Sequence, residues 1–503
     1  MPYTPALPPY AHQQTALARI LNKPEHPASS DVFALLMEMG TGKTKVMLDE
    51  FGMREEAKDC RNLLIIAPKG VYMNWVEKEI PQHLSEDLRE RTVVRAWRSG
   101  GGVTERRRLE TFLNVTDRPR ILVVNIEALS SVKVAVDLCG AFIGQRRTLM
   151  DVDESTRIKG EKAARTRAVV ELGKRAYARR IATGLVTPRS VLDLFSQFEF
   201  LDYRILGYRS YFAFRHHYAI LQKTQFGGEF VTNDEGERVR VNGYDAQIIV
   251  GYRNEEELKE RIAPYSYRVL KEDCLDLPKK IYMLREVELT SEQQRIYMEL
   301  KKNAQAQLTG GAFVTTAQKI TTLLRMHQVV CGHVKDEDGV EHAVESNRIT
   351  QMMETLEEHS GKAIIWSGFR YSIKEIIERL SKEYGPASVV HYYGDTKSAA
   401  RTEAVKRFQE DPSCRFFVAN QQSGSMGITL TAASLVVYYS NTWSLEDRMQ
   451  SEDRPHRAGL DHPVTYVDLV AGGTIDGKLI TGLRKKLDVA AMLSGDSYRD
   501  WLI

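Results

Sequence analysis

The sequence predicts an α/β fold of two parallel-sheet lobes with a helical and hairpin insertion between them. Three observations lead there. Short apolar, β-branched runs alternate with helical stretches over residues 1–200 and again over 346–503, the pattern of sheets covered on both faces. Residues 201–345 lose that alternation. A length of 503 residues suits about three domains. The expected division is therefore an N-terminal lobe over 1–200, an insertion and linker over 201–345, and a C-terminal lobe over 346–503.

In the first lobe the strand-like runs are Phe33–Met39, Leu63–Ala67, Ile121–Asn125, Thr148–Asp153 and Arg180–Thr183. In the last they are Ala363–Ser367, Ser388–Tyr392, Arg415–Ala419, Leu435–Tyr439 and Val464–Leu469. Between them, Tyr203–Tyr218 interleaves aromatic and basic residues, which suits either stacking against a nucleic-acid strand or an amphipathic helix packing its rings inward. Phe226–Ile249 carries turn signals at Gly227-Gly228, Asn233-Asp234 and Asn242-Gly243 and reads as one or two hairpins, a strand-separating wedge or a plain surface feature. Ser291–Gln307 and Thr315–Val330 read as helices, with His327 a helix-core or capping residue.

Composition narrows the class. Hydrophobic residues at 43% and charged residues at 27% give a soluble, core-forming balance. A net charge of +3 neither requires nor excludes a polyanion, because a local basic face is enough to bind one. The five cysteines lie far apart without a C-x-x-C pair, which argues against a zinc or disulfide framework and suits a reducing cytoplasm. The N-terminus lacks the charged and apolar regions of an export signal. No apolar run reaches the roughly 18 residues of a membrane span.

Met37–Thr44 reads MEMGTGKT, a variant P-loop with Met37 where the strict pattern has glycine. Gly40, Thr41 and Gly42 form the tight turn whose amides approach phosphates, and the helix that Lys43 opens favours their charge. Lys43 is placed to reach the β and γ phosphates of a nucleoside triphosphate, and Thr44 to ligate Mg²⁺. Leu149–Gly160 reads LMDVDESTRIKG, a buried strand ending in Asp153-Glu154. Asp153 can hold Mg²⁺ through water, and Glu154 can orient and deprotonate the attacking water. Asp151 competes for the metal, since alternation puts it on the same side of the strand; the following Glu154 favours Asp153. Gln450–Arg457 reads QSEDRPHR, and the spacing of Gln450, Arg454 and Arg457 puts them on one helical face. Guanidinium groups there suit a transferring phosphoryl group.

These segments, with PYAHQ (Pro9–Gln13), IIAPKGVYMNW (Ile65–Trp75), VVNIEAL (Val123–Leu129), ATGLVTPRSVLDLFSQFEFL (Ala182–Leu201), RVLKEDCLDLPKK (Arg268–Lys280), LTSEQQRIYMEL (Leu289–Leu300), AIIWSGFR, YYGDTKSAAR and SGSMGITLTAAS, resemble in order the Swi/Snf-like ATPases of helicase superfamily two. The resemblance is to the compact bacterial and phage type and runs from about Tyr10 to about Val470. It implies two RecA-like lobes that hydrolyse ATP with Mg²⁺ and move along DNA, duplex or branched in preference to a single strand, in the cytoplasm of a bacterial or phage-infected cell. By resemblance Gln13 reads the adenine, and Gly427, Arg454 and Arg457 bring the second lobe onto the γ-phosphate with support from Gln450. Lys69, Asn125, Ser367, Gly394, Thr396, Arg401 and Ser423 line the nucleic-acid track.

The chain departs from the family pattern at TGLV for TGTP, SGSMGITL for AGGLGINL and HRAGL for HRIGQ. These changes bear on coupling between ATP state and DNA grip rather than on hydrolysis. Branch migration or fork remodelling is the expected use. A strand-separating DNA or RNA helicase and a non-catalytic ATP-binding subunit remain as alternatives.

Overall fold

The computed structural model describes residues 3–21, 31–100, 102–187, 190–226, 229–232, 238–241, 244–309, 316–336, 338–396, 398–424 and 427–494, without the side chains at 106, 224–246, 304–319, 398–399, 423–424 and 487–494. It separates into two compact units. The first is built from the chain up to Ala219 and from Tyr252–Asp276; the second is built mainly from Leu277–Asp488, with Ile220–Gly251.

Along the chain the strands are β1 (Asp31–Met37), β2 (Asn62–Ala67), β3 (Val93–Ala96), β4 (Arg120–Asn125), β5 (Thr148–Asp153), β6 (Ala178–Ala182), β7 (Ala219–Phe226), β8 (Glu229–Thr232), β9 (Arg238–Val241), β10 (Tyr244–Tyr252), β11 (Ser266–Val269), β12 (Lys280–Glu286), β13 (His333–Lys335), β14 (Glu341–Ala343), β15 (Lys362–Trp366), β16 (Val389–Tyr392), β17 (Phe416–Ala419), β18 (Ala433–Tyr438) and β19 (Val464–Val470). Among the described residues, the first unit carries a seven-stranded sheet in the order β11-β1-β6-β5-β2-β4-β3. The second carries a six-stranded sheet in the order β12-β19-β18-β15-β17-β16. Among the described residues, the strand pairings of both sheets are parallel. β2 and β4 are buried at every position, as apolar runs covered by helices on both faces require.

Three strands were not among those expected from the sequence, and all three are sheet edges: β3, β11 and β12. An edge strand has one open side and needs no continuous apolar run. Within residues 201–345, β11 pairs with β1 in the first unit and β12 with β19 in the second. The expected hairpin region does form paired strands, β7 with β10 and β8 with β9; its three turn signals lie largely outside the described residues.

The aromatic and basic stretch forms two helices, Leu194–Leu206 and Tyr211–Tyr218, with Gly207 at φ +78° turning the chain between them. Phe214 and Tyr218 are buried, with ring centroids 4.7 Å apart and Phe195 5.4 Å from Phe214. Phe212 instead stays 59% exposed. His327 is a core residue of helix Thr316–Val330, 3.4 Å from Asp476.

A buried ion network fixes the helix that follows β1. Arg180 on β6, fully buried, donates to Glu50 (2.9 Å from Nε) and to Asp31 (2.7 Å). Arg54 reaches the same two carboxylates at 2.7 and 2.8 Å. Glu50 and Arg54 lie on helix Lys43–Glu56, and Asp31 starts β1. Arg180→Leu leaves Glu50 and Asp31 with less cationic charge than anionic charge in the interior. The expected cost is about 3–5 kcal/mol of first-unit stability, read as a lowered urea midpoint.

Candidate functional site

The sequence-predicted residues of the first unit gather where parallel strands end. β1 leads into the glycine turn, β2 into Lys69, β4 ends at Asn125, and β5 ends at Asp153. This is where open parallel sheets bind ligands. Gly40 and Gly42 adopt φ +83° and +86°, values that disfavour any side chain. A Cβ on Gly42 would lie 2.2 Å from Gln13 Nε2, so the loop and helix Ala11–Leu21 are in close contact. Gln13 Nε2 and His12 Nε2 both lie within hydrogen-bond range of Thr41 O, at 3.2 and 2.8 Å. Thr41 Oγ1 donates to Glu38 O at 2.7 Å, and Lys43 Nζ donates to Met37 O and Glu38 O at 2.9 and 3.1 Å. Lys43 and Thr44 begin the helix, as expected.

Asp153 Oδ1 accepts the Glu154 N–H at 3.0 Å, and Oδ2 accepts the Trp75 indole N–H, also at 3.0 Å. Burial pushes the Asp153 carboxyl up, while the Lys43 charge, the Trp75 indole and the Glu154 N–H pull it down; burial wins. Glu154 sits at φ 49°, ψ 58°. A non-glycine residue in that region costs about 1–3 kcal/mol and concentrates at functional sites.

Asp151 does not share this position. It is fully buried, and among the described residues neither carboxylate oxygen has a hydrogen-bond partner. Burial first, and then the Glu50 charge, hold its carboxyl well above the usual range. Enclosed in this way, Asp151 presents no oxygen to an ion at the strand end.

Three contacting residues were not anticipated from sequence. Lys271, just past β11, donates its N–H to Glu38 Oε2 at 2.7 Å, and its Cε lies 3.2 Å from where a Gly40 Cβ would be. Together with the 2.8 Å bond from Glu38 N to Val269 O, this staples the glycine turn to an edge strand. Gln197 joins two motif segments: its Oε1 accepts from Ser155 Oγ at 2.7 Å, and its Nε2 donates to Val186 O at 3.0 Å and Asp193 O at 2.8 Å. Trp75 is the third. It lay in a quoted motif, but nothing in the sequence indicated that its indole meets Asp153.

Lys69 is exposed, and its N–H bonds Glu127 Oε2 at 2.9 Å. Asn125 accepts from Ala128 N at 2.9 Å and caps the next turn. In the second unit Ser367, Gly394 and Thr396 also follow the ends of parallel strands, β15 and β16. Ser367 is fully buried, 3.3 Å from Ser440 Oγ. Thr396 Oγ1 accepts from Tyr393 N at 3.2 Å, and Arg401 donates to Tyr393 O at 3.1 Å and Gly394 O at 3.4 Å. The side chain of Ser423 lies outside the described residues.

The expected helical face through Gln450, Arg454 and Arg457 is corrected. The helix spans Leu445–Glu452 and gives way to turns at Asp453. Pro455 disfavours helical geometry at Arg454 and cannot donate a backbone bond. Gln450 is buried on that helix. Arg454 and Arg457 are nonetheless brought together with Gly427 by a different route. Leu430 N donates to Arg454 O at 3.0 Å, Arg454 Nη1 to Ile428 O at 3.4 Å, and Arg457 Nη1 to Thr429 Oγ1 at 3.2 Å.

A parallel sheet with a P-loop after its first strand and an acidic pair ending the next strand but one in the sheet defines a P-loop NTPase unit. The chain belongs to the SNF2-related family of helicase superfamily two: residues 12–335 match the SNF2-related domain, and residues 346–459 match the helicase conserved C-terminal domain. It is 24% identical over 452 residues to an uncharacterized ATP-dependent helicase of Mycoplasma genitalium, covering 88% of this chain and 38% of that protein. It is 25% identical over 481 residues to the DNA annealing helicase and endonuclease ZRANB3 of Bos taurus, covering 90% and 38%. The chain thus spans about two fifths of these relatives. A solved structure of the Sulfolobus solfataricus SWI2/SNF2 ATPase core in complex with dsDNA aligns over 99% of this chain and 96% of that one, at 23% identity and a TM-score of 0.42. Among the described residues, no helix is long and apolar enough to cross a membrane.

The two neighbouring acids give a direct comparison. Asp153→Asn, at the held carboxylate that ends β5, is expected to lower ATP turnover by about 10–100-fold or more. Asp151→Asn, a near-isosteric change at an enclosed position, is expected to keep most of it. Steady-state rates of the two variants check the assignment.

Proposed function

We propose that the chain is an ATP hydrolase that converts turnover into movement along DNA, duplex or branched, as in branch migration or fork remodelling. The observation that carries the reading is the assembly in one unit of the Gly40–Lys43 turn and the Asp153–Glu154 pair, with the Lys43 charge acting on Asp153. Family membership supports it, as do the helicase names of the relatives.

The residues present fit ATP and Mg²⁺. The positive-φ glycines leave backbone amides open to phosphates, and Lys43 lies over the loop's own carbonyls. Mg²⁺ commonly uses one or two protein oxygens plus substrate phosphates rather than a protein cage. Among the described residues no group of three or more His, Cys, Asp or Glu is arranged to hold a metal, so Asp153 and Thr44 suit that mode. When bound, Mg²⁺ offsets charge on the β and γ phosphates.

On this reading Gln13 reads the base, Lys43 steadies the phosphates, and Glu154 takes a proton from the attacking water. Arg454 and Arg457 stabilise charge on the γ-phosphate in the transition state, with Gly427 and Gln450 in support. ATP shifts the conformational equilibrium by the difference in its contacts with the two states. The segments bearing Lys69, Asn125, Ser367, Gly394, Thr396, Arg401 and Ser423 follow the strand backbone, largely through main-chain amides.

Lys43→Ala is expected to abolish turnover with the fold intact by circular dichroism; full turnover would defeat the P-loop assignment. Arg457→Ala is expected to cut kcat by about 10³ or more while nucleotide affinity changes little. ATPase rates with single-stranded, duplex and branched DNA and with RNA, side by side, identify the partner, and triplex displacement tests movement. Stimulation by RNA alone would replace DNA with RNA in this reading.

A further inference from the structure

We infer that Trp75 is a positioning residue that ties the exposed loop around Lys69 to the Asp153 carboxylate, so that a strand gripped by that loop and the carboxylate that serves catalysis share one rigid segment. The inference rests on the function proposed above.

The connection is short and fully traced. β2 ends at Ala67, and Pro68 O accepts the N–H groups of both Val71 and Tyr72 at 2.9 Å. The Lys69 N–H is held by Glu127, which leaves the exposed Lys69 side chain at the head of a fixed turn. The chain then runs helically through Tyr72–Asn74 and widens into a π-helical turn at Trp75–Glu79, where the Ile80 N–H reaches back five residues to Trp75 O. Such wide turns are rare and frequent at functional sites.

Trp75 is 2% exposed and packs in the same apolar cluster as Ile65, Ile80, Leu84 and Leu88. Its one polar atom donates to Asp153 Oδ2 at 3.0 Å. A buried indole N–H requires a partner, and one on a carboxylate is charge-assisted and directional. With Oδ1 taken by the Glu154 N–H, both oxygens of Asp153 are oriented. A displacement of the loop is therefore transmitted to the carboxylate through a packed ring rather than through flexible chain.

The test is Trp75→Phe, which keeps an aromatic ring in the cluster and deletes only the donor. The first measurement is the Mg²⁺ concentration needed to tighten binding of a fluorescent ADP analogue, a readout that needs no turnover. It is expected to rise about tenfold or more, the usual cost of losing a group that orients a metal ligand. The second is the ratio of ATP turnover with duplex DNA to turnover without it, which is expected to fall while KM for ATP changes little. A folded variant with an unchanged Mg²⁺ requirement overturns the tie to Asp153. A raised Mg²⁺ requirement with undiminished DNA stimulation overturns the coupling. If Trp75→Phe does not fold, hydrogen exchange of residues 68–80 is compared between the natural chain and Asp153→Ala, which removes the acceptor. Faster exchange in Asp153→Ala supports the tie, and unchanged exchange overturns it. A natural chain that no DNA stimulates would defeat the proposed function, while the Mg²⁺ measurement would still decide the role of Trp75.

Discussion

In each unit a guanidinium enclosed in the interior sets the position of the functional helix. Arg180 sits between Glu50 and Asp31 and so ties the P-loop helix to the strands on which it must sit. Arg448 does the same in the second unit. It bonds Asp468 at 2.5 and 2.9 Å, Asn441 at 2.6 Å and Glu452 at 2.8 Å, and lies 3.4 Å from the centre of the Tyr438 ring. The helix it anchors, Leu445–Glu452, delivers the chain to Arg454 and Arg457. Charges in a low-dielectric interior are tolerated only when paired with good geometry, and that demand makes these helices poor candidates for sliding. The acid left over in the first unit, Asp151, lies under the same demand, and burial holds its carboxyl well above the usual range.

Around these anchors the chemistry concentrates at the ends of parallel strands, where backbone groups come free. The glycine turn is held from three sides: by Gln13 and His12 on Thr41 O, by its own Lys43, and by the Glu38–Lys271 staple. The acidic pair is held from two, by Trp75 and by Gln197 through Ser155. Glu154 keeps its left-handed backbone because Asp153 accepts its N–H and Ser155 is fixed beside it. Strain at that position is affordable only in so constrained a surround.

What was legible in the sequence was what chemistry forces into neighbouring residues. Gly40 to Thr44 and Asp153-Glu154 announce themselves because a phosphate cradle and an acid pair need contiguous chain. The central strands do so because burial on both faces requires unbroken apolar runs. The edge strands did not: β11 is only four residues long, and β12 leaves Ile281, Met283 and Leu284 exposed instead of burying an unbroken run. The helical reading of Gln450–Arg457 followed spacing alone and gave too little weight to Pro455. Lys271 and Glu38 are 233 residues apart, and no local pattern marks such a contact. Gln197 was hidden inside a quoted segment because its role depends on Ser155 and Val186 being brought to it by the fold.

Gln197 carries an implication for how this chain can vary. The amide is fully enclosed, with its carbonyl satisfied by one motif and its amino group by the other. Exchanging Ser155 for alanine by itself strands an acceptor in the interior, and exchanging Gln197 for leucine by itself strands a hydroxyl. Removing both at once relieves those two atoms but withdraws the donor from the Val186 and Asp193 carbonyls, so the enclosed amide cannot be exchanged cheaply even in company. Position 197 should therefore hold its amide among descendants of this sequence, while position 155 keeps whatever can donate to it.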